Sequence, residues 1–379
     1  MKINIGVVFG GKSSEHEVSL ISASNVMEAM DRTRYDVTPI GITRDGEWHL
    51  FNGELSEIAD GTWETDREHL ISDFSLFHDP LLRAIDIFFP VLHGTFGEDG
   101  TIQGLFEMMD KPYVGCGVLA SASGMDKEIT KMLCRQKGIP VVDDIVLTKG
   151  NFSVDKEKYI HSVTERFPFP VFVKPANMGS SVGIAKAHDE KELQTAIEDA
   201  FRYDTKVLIE EFIAGTEIET AVLGNENPIA SCVGEIVPCN EFYDYDAKYL
   251  SGDDSKILIP APIDPALAEQ IRTYAVELFR VIGGSGLSRV DFFADEARGV
   301  VYLNEINTMP GFTNISMYPK LWEASGIGYA DLITRLIELG FEHHRTRKAL
   351  LYRKNRRTNR IYHKTGAENR NRQKRAYSR

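Results

Sequence analysis

SRVDFFADEARGVVYLNEIN, residues 288–307, reads as two strands joined by a turn. Ser288–Ala294 and Gly299–Glu305 alternate in character, and Asp295–Gly299 carries the polar and glycine residues of a turn. With the turn centred near Ala297, Arg289 is expected opposite Glu305 and Asp291 opposite Leu303. A side-chain period of two then sets Arg289, Asp291, Glu305 and Asn307 on one face. Two carboxylates and an amide present only oxygen donors, a set that suits Mg²⁺, which takes few protein ligands and completes its shell with phosphate oxygens and water. Arg289 beside them is placed to stabilise a developing oxyanion. The alternative is a solvated strand face with a cross-strand Arg–Glu pair, and periodicity alone does not separate the two. A slip of one residue in register would move one strand's set to the other face.

The chain around this hairpin has 379 residues, enough for two or three domains. Residues 341–379 hold fourteen Lys/Arg against two Asp/Glu, a local surplus of 12, so the other 340 residues carry −25 against the chain's −13. An acidic body does not suit a general nucleic-acid binder; it suits an enzyme that gathers cations and phosphates at local sites. Cys116, Cys134, Cys232 and Cys239 form no C-x-x-C pair, which points to reduced thiols in the cytoplasm. The start, MKINIGVVFGG, reads as a strand and not as a signal peptide. The apolar run Ala84–Leu92 contains Asp86 and is too short to span a membrane.

Ile3–Phe9 predicts a buried strand ending in a tight turn at Gly10-Gly11. Ser14 and Glu17 then match a capping box, and Val18, Ile21, Val26 and Met30 mark the apolar side of the helix that follows. Further strands at 37–42 and 85–92, the latter ending in the loop His93–Gly100, alternate with helices and so predict a parallel sheet. In such sheets ligands bind at the carboxyl ends of the strands. This first α/β domain is placed at 1–120. A second, at 121–210, begins with a helix over Met125–Lys137 and continues with the strand Phe169–Lys174, the small-residue loop Ala176–Gly183 and the returning strand Val182–Ala187. A third, at 211–344, contains the hairpin and a closing amphipathic helix near Tyr329–Gly340. The basic tail, 345–379, has no sustained apolar period and is expected to be disordered.

GVVFGGKS at 6–13 matches the Walker A pattern, but Val7, Val8 and Phe9 continue the apolar strand and leave no room for a phosphate-wrapping loop. Lys174 is a different case. It ends an apolar strand and is followed by Gly179-Ser180-Ser181-Val182-Gly183, where successive backbone N–H groups can form an anion nest; an ordinary Gly/Ser turn is the plainer alternative. Lys127 stands at a helix start, against the helix dipole, as a residue facing a bound anion would. Glu15 lies in the first turn of the opening helix, where an acid is favoured whether or not it has a role. His93, in HGTFGEDG, reads equally as a plain loop residue, and Glu210 and Glu217 are unremarkable taken singly. EFYDYDAKYL at 241–250 is too dense in aromatics and charges for an inert loop.

In this order, GGKSSEHEVSL (10–20), HGTFGEDG (93–100), MDK (125–127), VKPANMGSSVG (173–183), IEEFIAGTE (209–217), YDYDAKY (243–249), SRVDFF (288–293) and LNEINTMPGFTNISM (303–317) resemble the ATP-grasp superfamily, and within it the D-alanine–D-alanine ligases. The likeness runs over about residues 1–345. It implies an α/β chain with the ATP-grasp fold: a Rossmann-like parallel-sheet N-terminal domain, and two α+β domains sandwiching ATP. The implied reaction joins two D-alanines through an acyl phosphate for peptidoglycan synthesis, with D-Ala–D-Ser or D-Ala–D-lactate ligation as relatives' variants.

On matching positions the resemblance implies that Lys127 and Lys174 hold ATP phosphates under the Ser180–Ser181 loop, and that Glu210, Ile213 and Glu217 line the adenine and ribose pocket. Asp291, Glu305 and Asn307 would bind two Mg²⁺ ions, with Mn²⁺ as a substitute. Glu15 would take the ammonium of the first D-alanine and bond with Ser180 and Tyr249, with His93 close by. Arg289 and the Gly311 N–H would stabilise the tetrahedral intermediate, and Ser316 and Met317 would position the second D-alanine. Lys248 and Tyr249 would belong to a lid at 241–255. A cytoplasmic homodimer with no nucleic-acid partner and no membrane insertion completes the expectation. A non-catalytic nucleotide-binding regulator on the same fold is the competing class, and the metal-ligand set with Arg289 argues against it.

Overall fold

The computed structural model describes residues 2–72, 74–76, 78–237 and 256–350. Three sheets organise them. The first is β1 (Ile3–Gly10), β2 (Tyr35–Ile42), β3 (Trp48–Phe51), β4 (Leu70–Ile71) and β5 (Ile87–Val91), in the order β4-β3-β2-β1-β5. β1 pairs in parallel with both β2 and β5, as the strand–helix alternation predicts, while β3 and β4 extend one side of the sheet with antiparallel strands that the apolar pattern does not reveal. Ile5, Val7, Val8 and Phe9 are all fully buried because helices or loops cover both faces of a parallel sheet. Since β1 sits between β2 and β5, the loops after β1 and β5 leave the same end of the sheet side by side, where ligands bind in this architecture.

The second sheet is β6 (Asp144–Thr148), β7 (Val171–Pro175), β8 (Ala185–Ala187) and β9 (Lys206–Glu211), in the order β6-β9-β7-β8, every pair antiparallel. Its apolar side chains, among them Val171, Val173 and Ile209, pack with Val163 and Ile197 of two helices, Lys156–Arg166 and Glu190–Ala200. The third sheet is β10 (Thr216–Gly224), β11 (Ile229–Val237), β12 (Lys256–Leu258), β13 (Gly286–Asp295) and β14 (Val300–Asn307), in the order β12-β11-β10-β13-β14. The helix Pro265–Val281 lays Ile271, Ala275, Leu278 and Phe279 into the core shared with Phe292, Val301 and Leu303. Among the described residues no helix is long and apolar enough to cross a membrane.

Several local expectations need correction. The opening helix runs His16–Ala29 with Glu15 at the N-cap and no side-chain cap, so the Ser14–Glu17 capping box does not form; Ile21 of its supposed apolar side is 41% exposed. The helix expected over Met125–Lys137 is two helices, Val118–Met125 and Lys127–Lys137, because the Asp126 carboxylate accepts from the Ile129 N–H at 3.2 Å and starts a new N-terminus. The closing helix extends over Tyr329–Lys348, past the start of the expected disordered tail, with Arg345, Arg347 and Lys348 in the last turn where the helix dipole favours cations. Residues 351–379 lie outside the described residues.

The most consequential correction is the hairpin register. Arg289 pairs with Asn307 and Asp291 with Glu305, but Phe292 pairs with Leu303, so Asn304 is an extra residue in β14. This β-bulge reverses the side-chain alternation midway along the strand. Val301 and Leu303 point into the core before it and Ile306 after it, a spacing of two and then three. Ahead of the bulge the pairing is already one residue off that expected for a turn centred at Ala297, and the bulge adds one more, so Asp291 faces Glu305 and not Leu303. The two shifts together restore the alternation and bring Glu305 and Asn307 to the face that carries Asp291 and Arg289.

Candidate active site

The hairpin face is an ion-pair network. Asp291 is 1% exposed and accepts two hydrogen bonds from the Arg289 guanidinium, at 2.8 and 2.7 Å, and one from the Asn307 amide at 3.0 Å. Arg289 also lies 2.9 Å from Glu219, whose position on β10 pairs with Asp291 across the sheet. Glu219 does not stand out in the sequence; its alternation with Glu217 on the strand 216–224 is the available signal. Glu305 lies 3.3 Å from the Lys127 ammonium.

Lys127 is the first residue of the helix Lys127–Lys137, which carries a cation every four residues on one side. Lys127 meets Glu305 on β14, Lys131 meets Glu210 on β9, and Arg135 meets Asp144 on β6. One helix thus binds carboxylates of two sheets. Lys174, at the end of β7, lies 2.7 Å from the other oxygen of Glu210 and donates to the amide oxygen of the bulge residue Asn304 at 3.0 Å. Burial disfavours the Glu210 carboxylate, but Lys174 and Lys131 outweigh it and hold the group down at about 2. Lys131 is not evident from the sequence motifs, although it stands one turn after Lys127 on the same helix face.

A cleft of about 380 Å³ opens along this network. Lys127, Lys174, Ser181, Glu210, Ile213 and Glu217 all line it, with Glu305 at its edge and Phe172 and Phe293 among its apolar walls. The cleft therefore combines ammonium groups with apolar and acidic lining, the kinds of group needed for a ligand with a phosphate chain and a flat ring. Ser180 and Ser181 both have positive φ, 48° and 59°, a backbone form uncommon for serine and consistent with the N–H-presenting loop expected there.

The Ser180 hydroxyl donates to the Glu15 carboxylate, which is buried at the N-cap of the opening helix. Glu15 sits in a close cradle: a Cβ on Gly94 would come within 2.6 Å of its Oε2, and one on Gly179 within 3.0 Å. His93 is buried behind it. Its Nδ1 donates to the Met309 carbonyl at 3.0 Å, and its Nε2 is hydrogen-bonded to the Ser22 hydroxyl at 3.2 Å. Ser22 in turn accepts from the Phe312 N–H, so His93 ties the loop after β5 to the segment containing Gly311. Glu98, inconspicuous in the sequence though part of HGTFGEDG, lies 3.9 Å from His93. Burial pushes Glu98 up to about 7 even against the pull of His93. Burial opposes charge on His93 as well, but Glu98 and Glu15 prevail and raise it.

At the last expected subsite, Gly311 stands close to Ser316: a Cβ there would meet Ser316 Oγ at 2.9 Å. Ser316 accepts from the Thr313 N–H at 3.0 Å and heads the helix Met317–Ala324. The Met317 side chain packs into the apolar core, so only its backbone faces away from it. Lys12 of the Walker-like stretch is exposed, and β1 includes Val7–Gly10, which agrees with its dismissal as a phosphate loop. Lys248, Tyr249, Cys239 and the expected lid at 241–255 lie outside the described residues.

Comparison with known proteins bears on this geometry. A family model described as "D-ala D-ala ligase N-terminus" matches residues 4–116, and one described as "D-ala D-ala ligase C-terminus" matches residues 133–338. The chain is 51% identical over 363 residues to the D-alanine–D-alanine ligase of Acetivibrio thermocellus, covering 90% of this chain and 96% of that one. Among solved structures, the VanG D-Ala:D-Ser ligase of Enterococcus faecalis superposes with a TM-score of 0.80 at 39% identity, covering 90% of this chain and all of the other. The D-alanine–D-alanine ligase of Coxiella burnetii gives 0.78 at 36% identity, with 92% and 97% covered. Both halves of the described fold are thus accounted for, and the chain is an ATP-dependent ligase that belongs to the D-alanine–D-alanine ligase family.

Proposed function

We propose that this ligase joins two D-alanine molecules, activating the first as an acyl phosphate at the expense of ATP. The observation that carries the reading is the meeting of Lys127, Lys174 and Glu305 at one cleft, with Asp291 paired to Glu305 across the hairpin and bonded to Arg289 and Asn307, and with Ser180, next to the cleft residue Ser181, bonded to Glu15. A carboxylate is a poor electrophile. Transfer of the terminal phosphoryl group to one of its oxygens gives a mixed anhydride, and attack by the second D-alanine's amine on its carbonyl carbon expels phosphate.

Lys127 and Lys174 hold phosphate oxygens while the Ser180–Ser181 loop covers them, and Glu210, Ile213 and Glu217 take the adenosine end. Glu15 accepts from the first D-alanine's ammonium, with His93 and Ser180 fixing its surroundings. Arg289 and the Gly311 N–H bear the oxyanion that forms as the amine attacks. Ser316 and the backbone at Met317 position the second D-alanine. Tyr249 and Lys248, assigned to the same chemistry by resemblance, complete the set.

Asp291, Glu305 and Asn307 would hold two Mg²⁺ ions, or Mn²⁺. The donor set fits such ions, because all its donors are oxygens on one face. Both carboxylates already attract cations, Arg289 to Asp291 and Lys127 to Glu305. Bound there, the ions would neutralise phosphate oxygens beside the lysines.

We further infer domains at 1–120, 121–210 and 211–344, supported by the three separate sheets. A cytoplasmic homodimer, serving peptidoglycan synthesis without a nucleic-acid partner, is part of the same proposal. The test is phosphate release by the full chain with ATP, Mg²⁺ and D-alanine, D-serine or D-lactate, followed by product mass. Release that depends on D-alanine and yields the dipeptide is expected; release only with a second acceptor other than D-alanine would reassign the product, and none dependent on D-alanine would overturn the proposal.

A further inference from the structure

We infer that Lys131 is a positioning residue for nucleotide binding, a buried ammonium that balances Glu210 from behind and so leaves the charge of Lys174 available to phosphate. The inference rests on reading the 380 Å³ cleft as the nucleotide site.

Lys131 is 1% exposed and does not line the cleft. A fully buried lysine is costly unless paired, and this one has two carboxylates: it donates to one oxygen of Glu210 and lies 3.3 Å from Asp144. Asp144 has a second cation in Arg135, and Glu210 has one in Lys174. The buried chain Lys174–Glu210–Lys131–Asp144–Arg135 therefore alternates in sign, with cations at both ends. Lys174 is the end that faces the cleft, and Arg135 the end that faces solvent.

The alternation matters because Lys174 and Glu210 are only 2.7 Å apart. Were they a lone pair, a phosphate would have to draw Lys174 away from a buried carboxylate left with no other partner. With Lys131 on the other oxygen, Glu210 keeps a cation when Lys174 turns to phosphate, and the Lys131–Glu210–Lys174 group presents a net positive charge to the cleft. The remaining charged neighbours are also accounted for: Lys127 pairs with Glu305, and Lys206 with Asp126 and Glu128 at the start of the same helix.

The test compares a phosphate-bearing probe with one that lacks phosphate, by calorimetry on the full chain with Mg²⁺. The probes are adenylyl imidodiphosphate and adenosine. Lys131→Met keeps the volume and removes the charge; it should weaken the triphosphate analogue roughly 10–100-fold, the scale of a lost charged hydrogen bond, and leave adenosine within about twofold. Lys131→Arg should restore most of the loss. Glu210→Gln, which releases both lysines, should keep the ratio of analogue to adenosine affinity at or above that of the unaltered chain. It is the measurement that stands if Lys131→Met fails to fold. Equal losses for both probes in Lys131→Met, or a lowered ratio in Glu210→Gln, would overturn the inference. Failure of the unaltered chain to bind either probe would instead remove the nucleotide assignment of the cleft, and this inference with it.

Discussion

The cleft and the Glu15 cradle are built by different means. Around the cleft, charged side chains come from regular elements: one helix with Lys127 at the cleft and Lys131 and Arg135 behind it, and the strands β7, β9 and β14 that carry Lys174, Glu210 and Glu305. Each cation there already has a carboxylate, so charge is stored in pairs that an incoming ligand can exchange. The cradle is made mostly of loops laid against the opening helix. Glu15 is enclosed by Gly94, Gly179 and Ser180, and His93, the helix residue Ser22 and the Phe312 N–H fix its wall through hydrogen bonds. On the proposed reading, a ligand rich in negative charge would be held by rearranging ion pairs, and a small zwitterion by shape, because it offers only a few contacts and every misplacement counts.

If that contrast is right, substitutions at the two ends should fail differently. The largest effect is expected at the junction. Arg289→Ala removes the group proposed to meet the developing oxyanion and should lower turnover roughly 10²–10³-fold, measured as steady-state phosphate release. Near-normal turnover would take Arg289 out of that role. The next concerns shape alone. Gly94 has a φ of 72°, and a Cβ there would lie 2.6 Å from Glu15 Oε2 and 2.8 Å from Ser13 Oγ. Gly94→Ala should raise the KM for D-alanine roughly tenfold or more, since overpacking of this kind costs about 1–3 kcal/mol, and leave nucleotide affinity unchanged. Weakened nucleotide binding in this variant would blur the division between the two ends.

The smallest effect at neutral pH is expected from Glu98→Gln, and its signature is a slope. Burial raises Glu98 from its usual 4.5 to about 7 in the folded chain. The folded state then holds a proton that the unfolded state releases, so Glu98's contribution is fully present below pH 4.5 and is lost as pH rises through about 7. Denaturant midpoints of the unaltered chain should fall relative to Glu98→Gln across that window. Parallel curves would show that Glu98 is not the group titrating there.

Legibility in the sequence follows the same divide. The parallel strands β1, β2 and β5, the metal-type face and the lysines of the cleft are readable because each sits on an element with a fixed period. The face of the hairpin comes out right and its pairing does not, since the turn shifts the register by one and the bulge at Asn304 by one more, which moves every partner by two and keeps the face; the apolar residues at 301, 303 and 306 carry the information on the bulge. Lys131, Glu219 and Glu98 escape notice because sequence shows a charge but not its burial, and burial with a partner gives these three their meaning. The short strands β3 and β4 have too few residues to display a period. The mutual approach of Gly94, Gly179 and Glu15 joins distant loops, which no local pattern announces.

The central claim, that the cleft and the cradle act together to make an acyl phosphate, has a direct chemical readout. D-Alanine labelled with ¹⁸O in its carboxylate is turned over with ATP and Mg²⁺, and the released phosphate is analysed by mass. One ¹⁸O atom is expected to pass from carboxylate to phosphate in each turnover; dipeptide formation with unlabelled phosphate would contradict the claim.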